Sequence, residues 1–192
     1  KTDPTLEDPQ ADYHITLTVE LHNLDTEKPR QVAYQLDGPN GLPIEGWWYL
    51  LSNRISTEWW SGLGARDVAM RFVGNPATLI SSLKIAADNV NPPLRKESAE
   101  APLVYAGVDS QYFAAVLLPQ RERDAVWFSE IKHLQVGEEP ADVKRQRLTK
   151  VSGGLVSTTL HIEPGQSVSH EYQLFVGPKQ PPLLASYGTD DT

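Results

Sequence analysis

The sequence contains no cysteine, which excludes disulfide bonds and thiolate chemistry. This absence fits a cytosolic protein as well as an envelope protein that avoids oxidative mispairing, so both compartments stay open. The longest apolar run, Tyr112–Leu118, has only seven residues, whereas a membrane-spanning helix needs about 20. No signal-peptide pattern opens the chain, which begins with Lys1 rather than Met, and we expect a piece of a longer protein.

Positive charge is also scarce, because 17 Lys and Arg residues face 25 Asp and Glu residues, for a net charge of −8. Binding to nucleic acid or to an anionic membrane surface requires clustered Lys and Arg. The one basic cluster, Lys144–Lys150, is short and is typical of a solvated strand or loop. We therefore expect no nucleic-acid partner.

Glycine and proline are plentiful, at 13 and 15 of 192 residues, and the apolar runs are short. Apolar and polar residues alternate in Tyr13–Leu21, which is the period of a half-buried strand. The chain as a whole predicts roughly nine or ten strands with long loops. Residues 78–90 are ambiguous and are assigned to a strand, with a short helix as the alternative.

An antiparallel sandwich is the expected packing for this number of strands. We expect residues 155–179 to form a hairpin around Glu163–Gln166. Residues 1–12 are predicted to be an extended lead-in, residues 13–178 a single β-sandwich domain, and residues 179–192 a proline-rich linker. The side chains expected to be buried are Tyr13, Ile15, Leu17, Val19, Phe113, Ala115, Tyr172, Leu174 and Val176.

Residues that could carry catalysis or hold a metal do not converge in the sequence. The five histidines are scattered, and only His161 and His170 could meet, across the predicted hairpin, as a solvent-facing pair. Two histidines without a third ligand make a poor zinc site. Neither a nucleophile elbow nor a phosphate-binding loop is present. We predict no catalytic residues, no metal site and no cofactor.

Four of the five tryptophans lie in residues 44–64, as the pairs Trp47–Trp48 and Trp59–Trp60. Neighbours on a strand point to opposite faces, so at most one ring of each pair can line a common surface. Packing in the core is the more economical interpretation. The alternative is a contact surface for a peptide or a sugar, for which Trp59 or Trp60, in the more loop-like pair, is the first candidate.

Stretches spread over most of residues 12–179 resemble, in order and spacing, the large periplasmic domain of the YidC-type membrane protein insertases of bacteria. They are Asp12–Val19 with Asn23 and Glu27–Pro29, then Tyr105–Pro119, then Ile162–Gln166, and finally Tyr172–Lys179. The tryptophan segment has no counterpart in that pattern. The family domain usually carries further strands before the one that corresponds to Tyr13–Leu21.

The resemblance implies an all-β, antiparallel β-supersandwich, like that of galactose mutarotases, with few or no helices. It also implies a non-catalytic periplasmic scaffold of an inner-membrane insertase with chaperone activity. Such an insertase assists nascent membrane proteins, alone or with the Sec translocon. Residues 179–192 would then lead towards a transmembrane region. The alternative is a carbohydrate-binding module or a mutarotase-like protein, although the His and Glu of mutarotases cannot be matched here.

Overall fold

The computed structural model describes residues 13–43, 66–88, 93–94, 101–122, 124–138, 148–185 and 187. These residues form twelve strands and two short helices. In chain order the strands are β1 (His14–His22), β2 (Arg30–Val32), β3 (Gln35–Asp37), β4 (Asp67–Phe72), β5 (Thr78–Ser81), β6 (Pro93–Leu94), β7 (Leu103–Asp109), β8 (Phe113–Pro119), β9 (Phe128–Val136), β10 (Lys150–Ser157), β11 (Leu160–Ile162) and β12 (Ser167–Pro178). The helices are α1 (Ser82–Asp88) and α2 (Pro181–Ala185).

Two antiparallel sheets dominate the described part of the chain. The larger has six strands in the order β1-β12-β8-β7-β4-β5, and the smaller has four in the order β3-β10-β9-β6. Strands β2 and β11 pair separately. The prediction of an all-β antiparallel fold is confirmed, and the arrangement is consistent with a supersandwich.

The main core lies between the two sheets. Val68, Val108 and Tyr172 of the larger sheet form one buried cluster with Val151 and Leu155 of the smaller sheet. All five side chains are fully buried. Central strand β8 is buried on both faces, since Ala114 to Leu118 are all inaccessible to solvent. This explains why its sequence is a continuous apolar run rather than an alternating one.

Helix α2 covers the opposite face of the larger sheet. Its Leu183 is 5% exposed and packs in a second apolar cluster with Val116, Leu118 and Phe175. Tyr187 follows the helix and packs edge-on against Phe175. Its hydroxyl group lies 3.0 Å from Nδ1 of His14 on β1. The start of the segment predicted to be a linker is therefore packed on the sheet.

The structure corrects the predicted hairpin. The turn is present, with Gly165 at a φ of 69°, a value that glycine adopts without strain. However, β11 pairs with β2, while β12 pairs with β1 and β8. The chain thus changes sheets at this turn instead of folding back on itself.

Residues 78–88, the described part of the ambiguous segment, combine the two alternatives, because strand β5 runs directly into helix α1. The hydroxyl oxygen of Ser81 accepts a hydrogen bond from the backbone N–H of Lys84 at 3.2 Å. This is the geometry of a serine N-cap. Assignment of the whole segment to a strand was therefore wrong in its second half.

The predicted burial is only partly correct. Ala115 and Tyr172 are buried, and Val19 and Leu174 are half-buried. The others are exposed: Tyr13 by 36%, Ile15 by 64%, Leu17 by 37%, Phe113 by 39% and Val176 by 50%. The alternation correctly indicated strands, but β1 lies at the edge of the larger sheet, where the core between the sheets ends.

Candidate functional site

Four aromatic side chains from distant parts of the sequence meet between the sheets, and we name them the inter-sheet cluster: Tyr34, Trp127, His170 and Tyr172. The hydroxyl oxygen of Tyr34 lies 2.6 Å from Nδ1 of His170. The hydroxyl groups of Tyr34 and Tyr172 are hydrogen-bonded to each other. Trp127 stacks on the His170 ring, with centroids 4.1 Å apart and planes 7° from parallel.

Backbone hydrogen bonds connect this cluster to both sheets. His170 and Tyr172 belong to β12 of the larger sheet. Tyr34 donates its N–H to the hydroxyl oxygen of Ser157 and accepts the N–H of the same residue, at the end of β10. The carbonyl of Trp127 accepts the N–H of Thr158. The cluster therefore joins the end of the smaller sheet to the larger one through side chains alone.

Burial dominates the electrostatics of the cluster. It lowers the pKa of His170 from its ordinary value, since a charged imidazolium is costly to bury. Burial also raises the pKa of Tyr34. The pKa of Tyr172 is raised further, first by burial and then by its hydrogen bond to Tyr34. All three groups are thus neutral near pH 7, which suits hydrogen bonding rather than proton abstraction.

A groove of about 540 Å³ opens beside Tyr34. Its walls come from the end of β1 with the loop that follows, from β2 and the residues after it, and from β11. They are formed by Leu21, His22, Asn23, Leu24, Asp25, Arg30, Val32, Ala33, Tyr34 and Ile162. The mixture of aliphatic walls with a few polar groups is typical of a binding groove.

The corner between β1 and β2 forms one wall of the groove, and Asn23 holds it in place. This residue is 5% exposed and donates its side-chain amide to the carbonyls of Lys28 and Ile162, at 2.9 Å each. Asp25 accepts the backbone N–H groups of Glu27 and Lys28 and the guanidinium of Arg30. These bonds, the two backbone contacts first, lower the pKa of Asp25.

A strip of exposed apolar side chains lies at the β1 edge of the larger sheet, and we name it the apolar strip: Ile15, Leu17 and Val176. Ile15 is opposite Leu174, and Val176 is opposite Ala115. Both partners pack in or against the main core. Because residues directly opposite share a face, the strip continues the core-bearing face of the sheet beyond the region that is covered.

The predicted contact residues Trp47, Trp48, Trp59 and Trp60 lie outside the described residues, so their role stays a prediction. Arg66, which follows that segment in the chain, donates Nε–H to the carbonyl of Leu42 at 2.5 Å. The fifth tryptophan, Trp127, has one ring face against His170.

The predicted solvent-facing pair of histidines was wrong. His161 is on β11 and contacts Glu163 at 3.1 Å on the surface, whereas His170 is 6% exposed on β12. Within the described ranges, no group of three or more His, Asp or Glu side chains could hold a metal ion. No local motif points to the inter-sheet cluster, because Tyr34 and His170 are 136 positions apart in the sequence.

Comparison with known families identifies the domain. Residues 65–190 match the model of the YidC periplasmic domain. The chain belongs to the YidC periplasmic domain family. The match covers β4 to α2, which includes the larger sheet except β1, most of the smaller sheet, and both helices. No curated protein matches the chain.

Membership in the YidC periplasmic domain family places this domain in the periplasm, as part of an inner-membrane insertase. In the portion of the chain that the structure describes, no helix is long and apolar enough to cross a membrane. The groove and the apolar strip are built largely from residues 13–34, which precede the matched region.

Proposed function

We propose that this domain is a non-catalytic scaffold that gives a membrane protein insertase a periplasmic contact surface for its clients. The observation that carries the proposal is the family match over residues 65–190. The hydrogen-bonded side chains of His170, Tyr34 and Tyr172 are neutral near pH 7, which supports a structural role for them. Insertion itself would belong to the membrane-embedded part of the insertase, and the domain would assist folding there, alone or with the Sec translocon.

The apolar strip is the proposed client contact. Ile15 and Val176 are 64% and 50% exposed on a sheet face that otherwise carries the core. Exposed apolar surface that continues a core is typical of interaction sites. A hydrophobic segment of a nascent membrane protein would bury its own apolar side chains against this strip. Trp59 or Trp60 would add an aromatic anchor if either ring is exposed.

Site-specific photo-crosslinking in the intact insertase tests this contact. A photoreactive phenylalanine derivative is placed at Ile15 or Val176, and for comparison at Leu79. Leu79 is 54% exposed on β5, at the other edge of the same sheet. We expect crosslinks to nascent membrane proteins or to Sec subunits from the first two positions and not from Leu79. Equal crosslinking from all three positions would contradict the proposal.

Mutarotase activity is the test of the non-catalytic assignment, because the predicted supersandwich is like that of galactose mutarotases. We expect purified protein to leave the mutarotation rates of glucose and galactose at their buffer values. A rate well above buffer would overturn the assignment. Titration with oligosaccharides, followed by tryptophan fluorescence, separates sugar binding from peptide binding. A shift with sugar alone would favour a carbohydrate-binding module.

A further inference from the structure

The direction of the hydrogen bonds in the inter-sheet cluster depends on the charge of His170. A tyrosine hydroxyl can donate one proton and can accept as well. With His170 neutral and Nδ1 unprotonated, Tyr34 donates to Nδ1 across 2.6 Å and accepts the proton of the Tyr172 hydroxyl. Both hydroxyl protons then have acceptors.

Protonation reverses this order. Nδ1 then carries a hydrogen and must donate to the oxygen of Tyr34, so the Tyr34 proton has to turn towards Tyr172. The Tyr172 proton loses its acceptor, and Tyr172 is fully buried. A buried donor left without an acceptor is costly because water cannot replace the lost bond.

The groups that face His170 offer little compensation to an imidazolium. From β1, its cross-strand partner is Val19, between Leu17 and Leu21. The segment before β9 contributes the Trp127 ring, which attracts a cation only moderately. Of the titratable groups in the described chain, Tyr34 is hydrogen-bonded to His170, and Tyr172 is connected to His170 through Tyr34. On the β8 side Pro119 is opposite Tyr172, so the chain continues to Arg121 beside His170, and the guanidinium of Arg121 donates to the carbonyls of Leu103 and Glu122. Glu20 and Glu171, the carboxylates adjacent to this site along β1 and β12, occupy alternate strand positions and belong to the opposite face.

We propose that His170 is the sensor of a proton-operated latch between the two sheets. Neutral His170 holds Tyr34, and with it the chain before β3, against the larger sheet. Protonation releases Tyr34, loosens its backbone pairing with Ser157, and opens the adjoining groove. This regulation goes beyond the proposed scaffold function and does not depend on it.

The sign of the effect follows from linkage. Burial lowers the pKa of His170 in the closed state, whereas in the open or unfolded state it takes its ordinary value of about 6.5. The open state therefore binds more protons in acid. The stability of the latch is fully present above about pH 6.5 and is lost as the pH falls through the lower value of the closed state.

Amide hydrogen exchange on the 192-residue chain, between pH 7.5 and pH 5 and corrected for intrinsic rates, tests the latch. The reporters are two backbone amides: that of Tyr34, which donates to the hydroxyl oxygen of Ser157, and that of Ser157, which donates to the carbonyl of Tyr34. We expect their protection to fall by up to about tenfold per pH unit below pH 6.5. The amide of Gly38, which donates to the carbonyl of Gly153 at 2.8 Å, is the control and should change much less.

Two variants isolate the sensor. His170→Gln should remove the pH dependence at Tyr34 and Ser157, whereas His22→Gln, at an exposed histidine paired with Glu20, should retain it. Protection that is independent of pH in the unmodified protein, or that keeps its pH dependence in His170→Gln, would overturn the latch.

Imidazole NMR of the unmodified protein provides a readout if His170→Gln does not fold. We expect His170 to be protonated on Nε2 when neutral and to titrate below the ordinary histidine pKa of about 6.5. Titration of His170 at or above about pH 6.5 would also overturn the proposal.

Discussion

Gly107 shows how tightly a single position can be constrained in this fold. A Cβ atom there would lie 2.1 Å from the carbonyl oxygen of Ala115 and 2.6 Å from the Cα of Val116. Both contacts are to backbone atoms of the paired strand, which cannot move without disturbing the sheet. We expect Gly107→Ala to lower the free energy of unfolding by about 3 kcal/mol.

Gly153→Ala is the matched control for that change. Its Cβ would meet Val68 Cγ1 at 3.6 Å, an ordinary van der Waals contact. Urea unfolding of both variants should show a large shift of the midpoint for position 107 and a small one for position 153. Similar midpoints for the two variants would show that the sheet relaxes around Gly107.

Asn23 is expected to stabilise the fold through the hydrogen bonds of its side-chain amide rather than through the volume that it fills. Asn23→Ala removes both donated hydrogen bonds and leaves the carbonyl of Ile162 without that donor inside the corner. We expect a loss of about 2 kcal/mol in the free energy of unfolding, measured by urea denaturation. Asn75→Ala, at an exposed asparagine with one 3.3 Å bond to Val73, should change stability by less than about 0.5 kcal/mol.

From the sequence, Asn23 could be singled out only as part of the family pattern, because its hydrogen-bond partner is far away along the chain. Its partner carbonyl at Ile162 is 139 positions away, so no local motif announces the bond. The same holds for His170, whose burial is decided by Trp127 and Tyr34. Glycine at position 165 was different, because a Pro-Gly turn is local and its φ of 69° is required wherever the strands go.

At the scale of elements, periodicity predicted strands well and their partners poorly. Alternation in β1 and β12 is an intrinsic property of each segment. Which strand pairs with which depends on the rest of the chain, and β11 pairs with β2 rather than with the strand after its turn. The prediction of buried side chains failed at the β1 edge for the same reason, since the sequence of β1 does not encode how far the covering sheet extends.

Helix α2 is the element whose packing is most open to a local test. Leu183→Ala removes the side chain that the helix buries against Val116 and Phe175. We expect about 2 kcal/mol of destabilisation, at the low end for a buried leucine because a helix of five residues can detach without the strands. Exchange of the Leu184 amide, which donates to the carbonyl of Gln180, should accelerate. Leu79→Ala should leave that amide unchanged, and equal acceleration in both variants would contradict the docking.

For the whole molecule, the balance between charge and exposed apolar surface sets its association behaviour. A net charge of −8 keeps copies apart, whereas the apolar strip favours binding of hydrophobic ligands and partners. The family assignment also depends on most of the chain, because the family model matches residues 65–190 rather than one motif.

We expect the native protein to bind a hydrophobic fluorescent dye at the apolar strip, and Ile15→Lys or Val176→Lys to reduce that fluorescence several-fold. The physical reason is that a lysine head group at the strip keeps its hydration and breaks the continuity of the apolar surface. Since these side chains are 64% and 50% exposed, the free energy of unfolding should change by less than about 1 kcal/mol. Leu79→Lys, at an exposed leucine on the other edge of the sheet, should retain the dye signal. A signal that Leu79→Lys reduces as strongly as Ile15→Lys would place the apolar contact surface elsewhere and remove the basis for the strip as a client contact.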